Sequence, residues 1–502
     1  DYDLNSKSSL SSSFRLQSFN NGSKGLTENS YSENGGPFYK LYDTDFDTKT
    51  SSLNYDASVD YKRTFKKKEQ EFVLSAQYTN SNKDVDYDIT QMDSLGTEFY
   101  KENSLNNSLN QELTFQADYV HPIKKWMTLE TGAKTIFRTV DSDYDYEIYD
   151  FPSDAFVEDP LRSNVFNYSQ DIVAAYGQAN ATVKNFGFRA GVRFEHTTVH
   201  GDFNQQIESF DKDYENVIPS MALSYTKPSK YMLKLSYTQR LQRPGMNYLN
   251  PYVNESDPLN ISYGNPDLDP ELSHAFEFGW NWFRKFGSIN TTVYHRFTDN
   301  AIESVRFIDT NDVYVTTYGN VGENFSTGAS IALNVMWQMK IFLGSNFNIY
   351  YYKVDGSGEA EGLTNDGINY SINLYGSYKF SKTWGIQAFG NFNGPKYSVQ
   401  GYSTSFFYYN LSARREFKSG KGGVALGLDN FATWYMNFRN EYSGEGFTYD
   451  NNNKILFLGA RISFDYRFGK MEFGAPKKKK RIKNDDLKDD AGDGGLMNGG
   501  GR

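Results

Sequence analysis

The sequence predicts an all-β protein, a transmembrane antiparallel β-barrel, from three observations. These are long alternation at period two, connections that switch between short and long, and an aromatic-rich composition lacking any helix-length apolar run. Aromatic residues make up 17% of the 502 positions, with Tyr and Phe at 39 each, yet apolar residues including Tyr reach only 38%. Together with 42 glycines, this suits strands that keep one face apolar and one face wet. A helical span needs roughly 18 consecutive apolar residues, and the most apolar stretch, around Ile455 to Ala460, falls far short.

Taken in chain order, segment after segment divides in the same way. Leu113, Phe115, Ala117 and Tyr119 alternate with Glu112, Thr114, Gln116 and Asp118. Phe188, Ala190, Val192 and Phe194 alternate with Arg189, Gly191, Arg193 and Glu195. Tyr231, Leu233, Leu235 and Tyr237 face away from Lys234, Ser236 and Thr238, and Phe276, Phe278, Trp280 and Trp282 from Glu277, Gly279 and Asn281. The last segment is the sharpest: Leu456, Leu458, Ala460, Ile462, Phe464, Tyr466 and Phe468 against Gly459, Arg461, Ser463, Asp465 and Arg467. A soluble sandwich also alternates, but its strands run about 5 to 6 residues, whereas a membrane strand needs about 9 to 11 for the hydrocarbon alone. Alternation that persists for well over about ten residues selects the membrane barrel.

Short connections are expected at Phe65 to Glu69, His121 to Trp126, Lys184 to Phe186, Lys227 to Lys230, Arg284 to Gly287, Gln338 to Ile341, Phe380 to Thr383 and Lys418 to Gly422. Each carries Lys or Arg. Longer, mostly acidic ones are expected at Asp84 to Asn103, Asp141 to Arg162, Gly201 to Glu215, Gln242 to Asp269, Val354 to Asp366 and Arg439 to Asn453. That asymmetry belongs to an outer-membrane barrel with tight periplasmic turns and large external loops, and it counts out to about eighteen strands.

Residues 1–469 are therefore expected to form the barrel, in contact with outer-membrane lipid. Residues 470–502 are expected to form a flexible periplasmic tail, polybasic at Lys477 to Arg481 and rich in Gly at its end. The basic run has the form of a nucleic-acid patch, but a net charge of −10 and the barrel reading leave no nucleic-acid partner. The opening Asp1-Tyr2-Asp3 goes almost directly into strand-like sequence, as a processed or truncated chain would.

Chemistry is sparse. The absence of cysteine excludes disulfides, thiolate metal sites and a cysteine nucleophile. His196 and His200 share a strand face two pleat repeats apart without a third partner, and Asp143, Asp145 and Glu147 alternate with tyrosines in a solvated rim. No catalytic, metal or cofactor site is expected, and the chain is not read as an enzyme. Trp126, Trp280, Trp282, Trp337 and Trp384 lie near short turns, where an interfacial girdle would place them. Alternation turns Arg189, Arg193, Glu195, Arg296, Arg461, Asp465 and Arg467 toward the lumen, so function is sought there.

Between two strands sits Arg240-Leu241-Gln242-Arg243-Pro244-Gly245, followed by Tyr263-Gly264-Asn265-Pro266-Asp267-Leu268-Asp269-Pro270-Glu271. This resembles the signature of TonB-dependent outer-membrane receptors, an arginine-proline strand end leading to a GNPxLxPE element. Tyr318-Gly319-Asn320-Val321-Gly322 and Leu426-Gly427-Leu428-Asp429-Asn430-Phe431 resemble two further elements of that family. The resemblance assigns Arg243, Pro244, Gly264, Asn265, Pro266, Leu268, Pro270 and Glu271 to the family motif, with an architectural role. The closing Phe468-Gly469-Lys470-Met471 and the Lys-rich, Gly-ending tail resemble the SusC-like Bacteroidota branch.

Such receptors have a 22-stranded barrel around an N-terminal plug; relative to that pattern the plug and about four strands are absent from this chain. The resemblance implies a TonB-dependent transporter barrel in a Gram-negative outer membrane, taking up a siderophore, glycan, peptide or similar nutrient. Its implied partners are a TonB-type energising protein acting through a plug and a SusD-like surface lipoprotein. A receptor-like scaffold holding other outer-membrane complex subunits and an 18-stranded diffusion porin are the alternatives.

Overall fold

The computed structural model describes residues 2–32, 36–160, 162–203, 209–250, 253–257, 260–310, 313–356, 360–466 and 468, together with 482, 484 and 486–488. Twenty strands share one antiparallel sheet. Two of them, Tyr2–Asn5 and Ala155–Glu158, are four-residue flaps, which leaves eighteen wall strands, the number expected from the connections. In order the wall runs Ser8–Ser32, Phe38–Thr64, Glu71–Asp93, Glu98–Lys124, Met127–Asp150, Asn164–Val183, Phe186–Phe203, Phe210–Lys227 and Tyr231–Gln242. It continues through Glu271–Arg284, Gly287–Asp299, Glu323–Trp337, Ile341–Asp355, Thr364–Lys379, Trp384–Asn393, Phe406–Glu416, Gly422–Asp429 and Gly459–Tyr466.

Every wall strand pairs with its sequence neighbour in the wall, so register follows from the tight turns. Lys227 stands opposite Tyr231, and the ladder then runs unbroken to Ser220 opposite Thr238. The short connections fall where the sequence puts them, and Lys184 takes the left-handed conformation (φ 53°) that a two-residue hairpin turn requires. Among the described residues no ladder joins Gly459–Tyr466 to Ser8–Ser32.

The two faces differ as the alternation demands. Phe188, Val192 and Phe194 project outward and are about half exposed, while Glu195, Thr197 and Val199 on the opposite face are buried. Apolar side chains left bare around the outside suit hydrocarbon rather than water. At the short-turn end the outer rim carries aromatic and cationic groups together: Lys124 lies over Trp126 (5.5 Å), Arg284 over Trp282 (4.5 Å) and Arg415 over Trp384 (5.4 Å).

Three expected long loops turn out to be largely strand, Arg439 to Asn453 among them, where Tyr435–Gly444 pairs with Phe447–Leu456. Glu71–Asp93 and Glu98–Lys124 run straight through the segment expected as a loop at Asp84 to Asn103 and meet in a four-residue turn. Most of Asp141 to Arg162 likewise belongs to Met127–Asp150 and Ala155–Glu158. The reason is solvent. Beyond the bilayer the outward face meets water, so Asp84, Asp86 and Asp88 take the positions in line with Leu74, Ala76 and Tyr78, while Val85, Tyr87 and Ile89 turn inward; the alternation continues but its acidic composition reads as a loop. Leu456 is a second correction: it closes Phe447–Leu456 opposite Tyr435 in a small separate sheet, and the last wall strand begins at Gly459.

The core sits on the inner face. Val140, Phe166, Tyr168, Val199 and Phe203 from three adjacent strands pack with Tyr248, Leu249 and Leu268 from the connection after Gln242, and with Ile302. That connection, expected as an external one, folds back over the inner wall because its apolar residues find their partners there.

Candidate functional site

The register of three strands assembles a charged cluster beneath this core. Arg138 stands opposite Glu112 on one neighbouring strand and opposite Gln170 on the other. Its Nε donates to Glu112 (2.5 Å) and its Nη1 to Gln170 (2.8 Å). On the next strand Glu195 and Thr197 receive Nη2 of Arg243 at 2.6 and 2.7 Å, and Arg193 also donates to Glu195. Arg243 is 0% exposed and Arg138 4%. Two guanidinium groups removed from water this completely are tolerated only because each meets a carboxylate and further acceptors.

The receptor-like motif orders the connection that follows Arg243. Gly264 donates its N–H to the Asn250 carbonyl (2.7 Å) and Asn265 to that of Tyr248 (2.6 Å), bringing two stretches of the connection against each other. A Cβ on Gly264 would lie 2.4 Å from the Asn250 oxygen, so this contact requires glycine. The Asn265 side chain donates to the Tyr318 carbonyl (3.0 Å) and accepts from the Asp267 N–H (2.9 Å). Leu268 is buried in the core, and its carbonyl accepts from Lys212 (2.9 Å). Pro266 is half-buried within this turn, and Pro244 directly follows Arg243 as Pro270 directly precedes Glu271. Glu271 opens the next wall strand, buried, and accepts from the Ile302 N–H at 2.6 Å.

A segment from the far end of the chain completes the cluster. The Asp486 carboxylate takes Nη1 and Nη2 of Arg138, both at 2.7 Å, and Nη1 of Arg243 at 3.0 Å. Burial alone would raise its pKa; the two guanidinium groups outweigh that and hold it well below the usual carboxylate range. Asn484 donates to Glu112 and to Thr114 (2.8 Å), and Lys488 donates to Glu271 and to the Ile302 carbonyl. The backbone joins in: Arg243 N–H donates to Asp486 O and Lys488 N–H to Arg243 O, both 2.8 Å, a parallel bridge at Leu487. The rest of the tail expected to be flexible, including Lys477 to Arg481, lies outside the described residues.

Of the side chains assigned to the lumen, the structure brings Arg193 and Glu195 to this cluster. Arg189 instead reaches Asn180 (3.2 Å), Arg296 pairs with Glu277 (3.4 Å) over the Tyr294 ring, Arg461 with Asp429 (3.4 Å) and Asp465 with Arg414 (2.7 Å). Arg467 lies outside the described residues. His196 and His200 each face carboxylates of the neighbouring strand rather than each other, His200 at 2.8 Å from Asp211. Among the described residues no three metal-ligating side chains converge.

Arg138 and Asp486 were not singled out from sequence. The signal for Arg138 was Ile136 and Val140 flanking it on the inner face, apolar where that face is otherwise polar, which marks a stretch of wall covered from within.

A family model described as the outer membrane protein beta-barrel family matches residues 63–466. Among solved structures, the fold is similar to that of the ferric yersiniabactin uptake receptor FyuA of Yersinia pestis. That match has 11% identity, 92% of this chain and 79% of that one covered, and a TM-score of 0.52. The copper transporter OprC (10%, 91% and 80%, 0.54) and the ferric citrate transporter FecA in its unliganded form (12%, 88% and 70%, 0.56) are similar too. At such identities the likeness is one of fold. No curated protein matches the sequence.

Proposed function

The chain belongs to the outer membrane protein beta-barrel family, and from that premise we propose that it is the barrel of a receptor for energised nutrient uptake across the outer membrane. The observation that carries this reading is the Arg243 to Glu271 connection, folded over the inner wall and anchored there by buried ion pairs. An open diffusion pore needs a clear polar path; here the path is lined by a connection that carries the receptor signature. The similar solved folds include uptake proteins for ferric yersiniabactin, copper and ferric citrate, which supports a reading in which the cargo is a small chelate or metal ion. In this reading loops opposite the short turns capture the nutrient and a TonB-type protein supplies the energy through a plug. A SusD-like lipoprotein would lid the barrel if the tail resemblance to the Bacteroidota branch extends to function. The short-turn end and the tail would then face the periplasm.

Uptake by cells carrying and lacking the gene, with and without a protonophore, tests the proposal. Gene-dependent uptake of a chelate or glycan that collapses with the proton gradient is expected. Uptake indifferent to the gradient would favour the porin. A growth defect unrelated to nutrients, with stable co-purification of assembly proteins, would favour the scaffold.

A further inference from the structure

Asn484, Asp486 and Lys488, alternate residues in the chain, all reach the wall, the spacing of an extended peptide. Asn484 meets Glu112 and Thr114, Asp486 meets the two arginines, Lys488 meets Glu271, and Leu487 between them is 37% exposed. The direction is consistent with entry from the short-turn end. The parallel bridge makes the segment run with Tyr231–Gln242, away from that end. Arg138 stands about 36 Å along its strand from Met127, and roughly sixteen residues separate Tyr466 from Ile482, enough for about 50 Å of extended chain.

The wall does not depend on this occupant. Without Asp486, Arg138 keeps Glu112 and Gln170, and Arg243 keeps Glu195 and Thr197. Among the described residues the segment brings Asp486 and Lys488 to the wall, one charge of each sign. It is held at a single isolated bridge rather than a ladder, and Asn484 Oδ1 has no hydrogen-bond partner. Such an attachment is specific yet separable, and tethering raises the local concentration to about the millimolar range, so even a weak site is filled.

We propose that Arg138, Arg243, Glu112 and Glu271 form a peptide-binding site on the inner wall, selective for an extended segment with a carboxylate flanked two residues away by an amide and an ammonium. The tail segment 484–488 is its tethered, releasable occupant. Its test needs no uptake.

The chain has no native cysteine, so Ile482→Cys, at a buried tail position, gives a unique thiol. In purified full-length protein a maleimide-polyethylene glycol should label it slowly, and adding Asp486→Asn should speed labelling at least tenfold. Equal rates in the two proteins would overturn the proposal. Because Ile482→Cys could itself loosen the tail, a second measurement uses a fluorescent peptide of residues 480–490. It should bind full-length Asp486→Asn protein, bind the unaltered protein at least tenfold more weakly because the site is filled, and lose binding when the peptide itself carries Asp486→Asn. Equal binding by both proteins, or by both peptides, would overturn it.

Discussion

Arg138 and Asp486 are 348 positions apart in the chain and meet in a two-bond fork, each N to O distance 2.7 Å. The fork is asymmetric in what each partner risks. Arg138 belongs to the wall and also holds Glu112; Asp486 belongs to a tail segment whose wall partners remain paired without it.

Arg138→Gln should therefore destabilise the barrel by about 3–5 kcal/mol, because it strands Glu112 without its cation in a buried site. Asp486→Asn should cost no more than about 1–2 kcal/mol. Urea unfolding in liposomes, followed by tryptophan fluorescence, separates the two; equal shifts would mean that Arg138 does not organise the wall.

Gly264→Ala should dislodge the connection while sparing the wall, since the new methyl would meet backbone atoms of Asn250 and Tyr248 within 2.8 Å. Limited proteolysis should gain cuts between residues 244 and 270, with heat-modifiable gel migration unchanged. Protection equal to that of the unaltered protein would contradict the packing described.

Adjacent positions on one strand provide a test of facing. Leu411 is exposed on the outer face and Ser412 lies on the inner one. Leu411→Arg should cost about 2–4 kcal/mol and Ser412→Arg at most about 1 kcal/mol in a lipid bilayer, and the reverse order would invert the wall.

Docking of the tail should be flat from pH 8 to 5. The Asp486 pKa is lowered in the docked state, so its contribution is complete above the free carboxylate value of about 3.9 and fades as pH falls toward the docked value. The charged and titratable groups around it are Arg138, Lys134, Arg243, Glu112, Glu195, Arg193, Tyr168 and Tyr214, with no histidine among them. A spin label on Ile482→Cys should stay immobile across that range and loosen only in strong acid. Release near pH 6 would assign the docking to another group.

The wall was legible because lipid enforces contrast: Phe188 against Arg189 and Leu426 against Gly427 can be read without a structure. Legibility faded where that enforcement ends. From Asp84 to Thr90 the strand continues in water, and its outward face is acidic while Val85, Tyr87 and Ile89 face inward, the reverse of the contrast that lipid enforces. The inward fold of the Arg243 to Glu271 connection was not visible because its motif is local, whereas its destination depends on Val199 and Tyr168, two and three strands away in the sheet. Asp486 was hidden for a further reason. Between Asp485 and Leu487, in a stretch rich in Asp and Lys, its composition is that of a solvated end, and only the three-dimensional meeting with two buried guanidinium groups distinguishes it.

The pairs Lys124 with Trp126, Arg284 with Trp282 and Arg415 with Trp384 all sit on one rim. Strands such as Phe38–Thr64 rise roughly 60 Å after tilt, about twice the depth of the oily layer they cross. Those pairs mark a waterline at the short-turn end, far from the tips of the opposite hairpins. Hairpins on the opposite side can be lengthened or trimmed without altering how deep the vessel floats, which leaves that side open to remodelling for whatever it must catch.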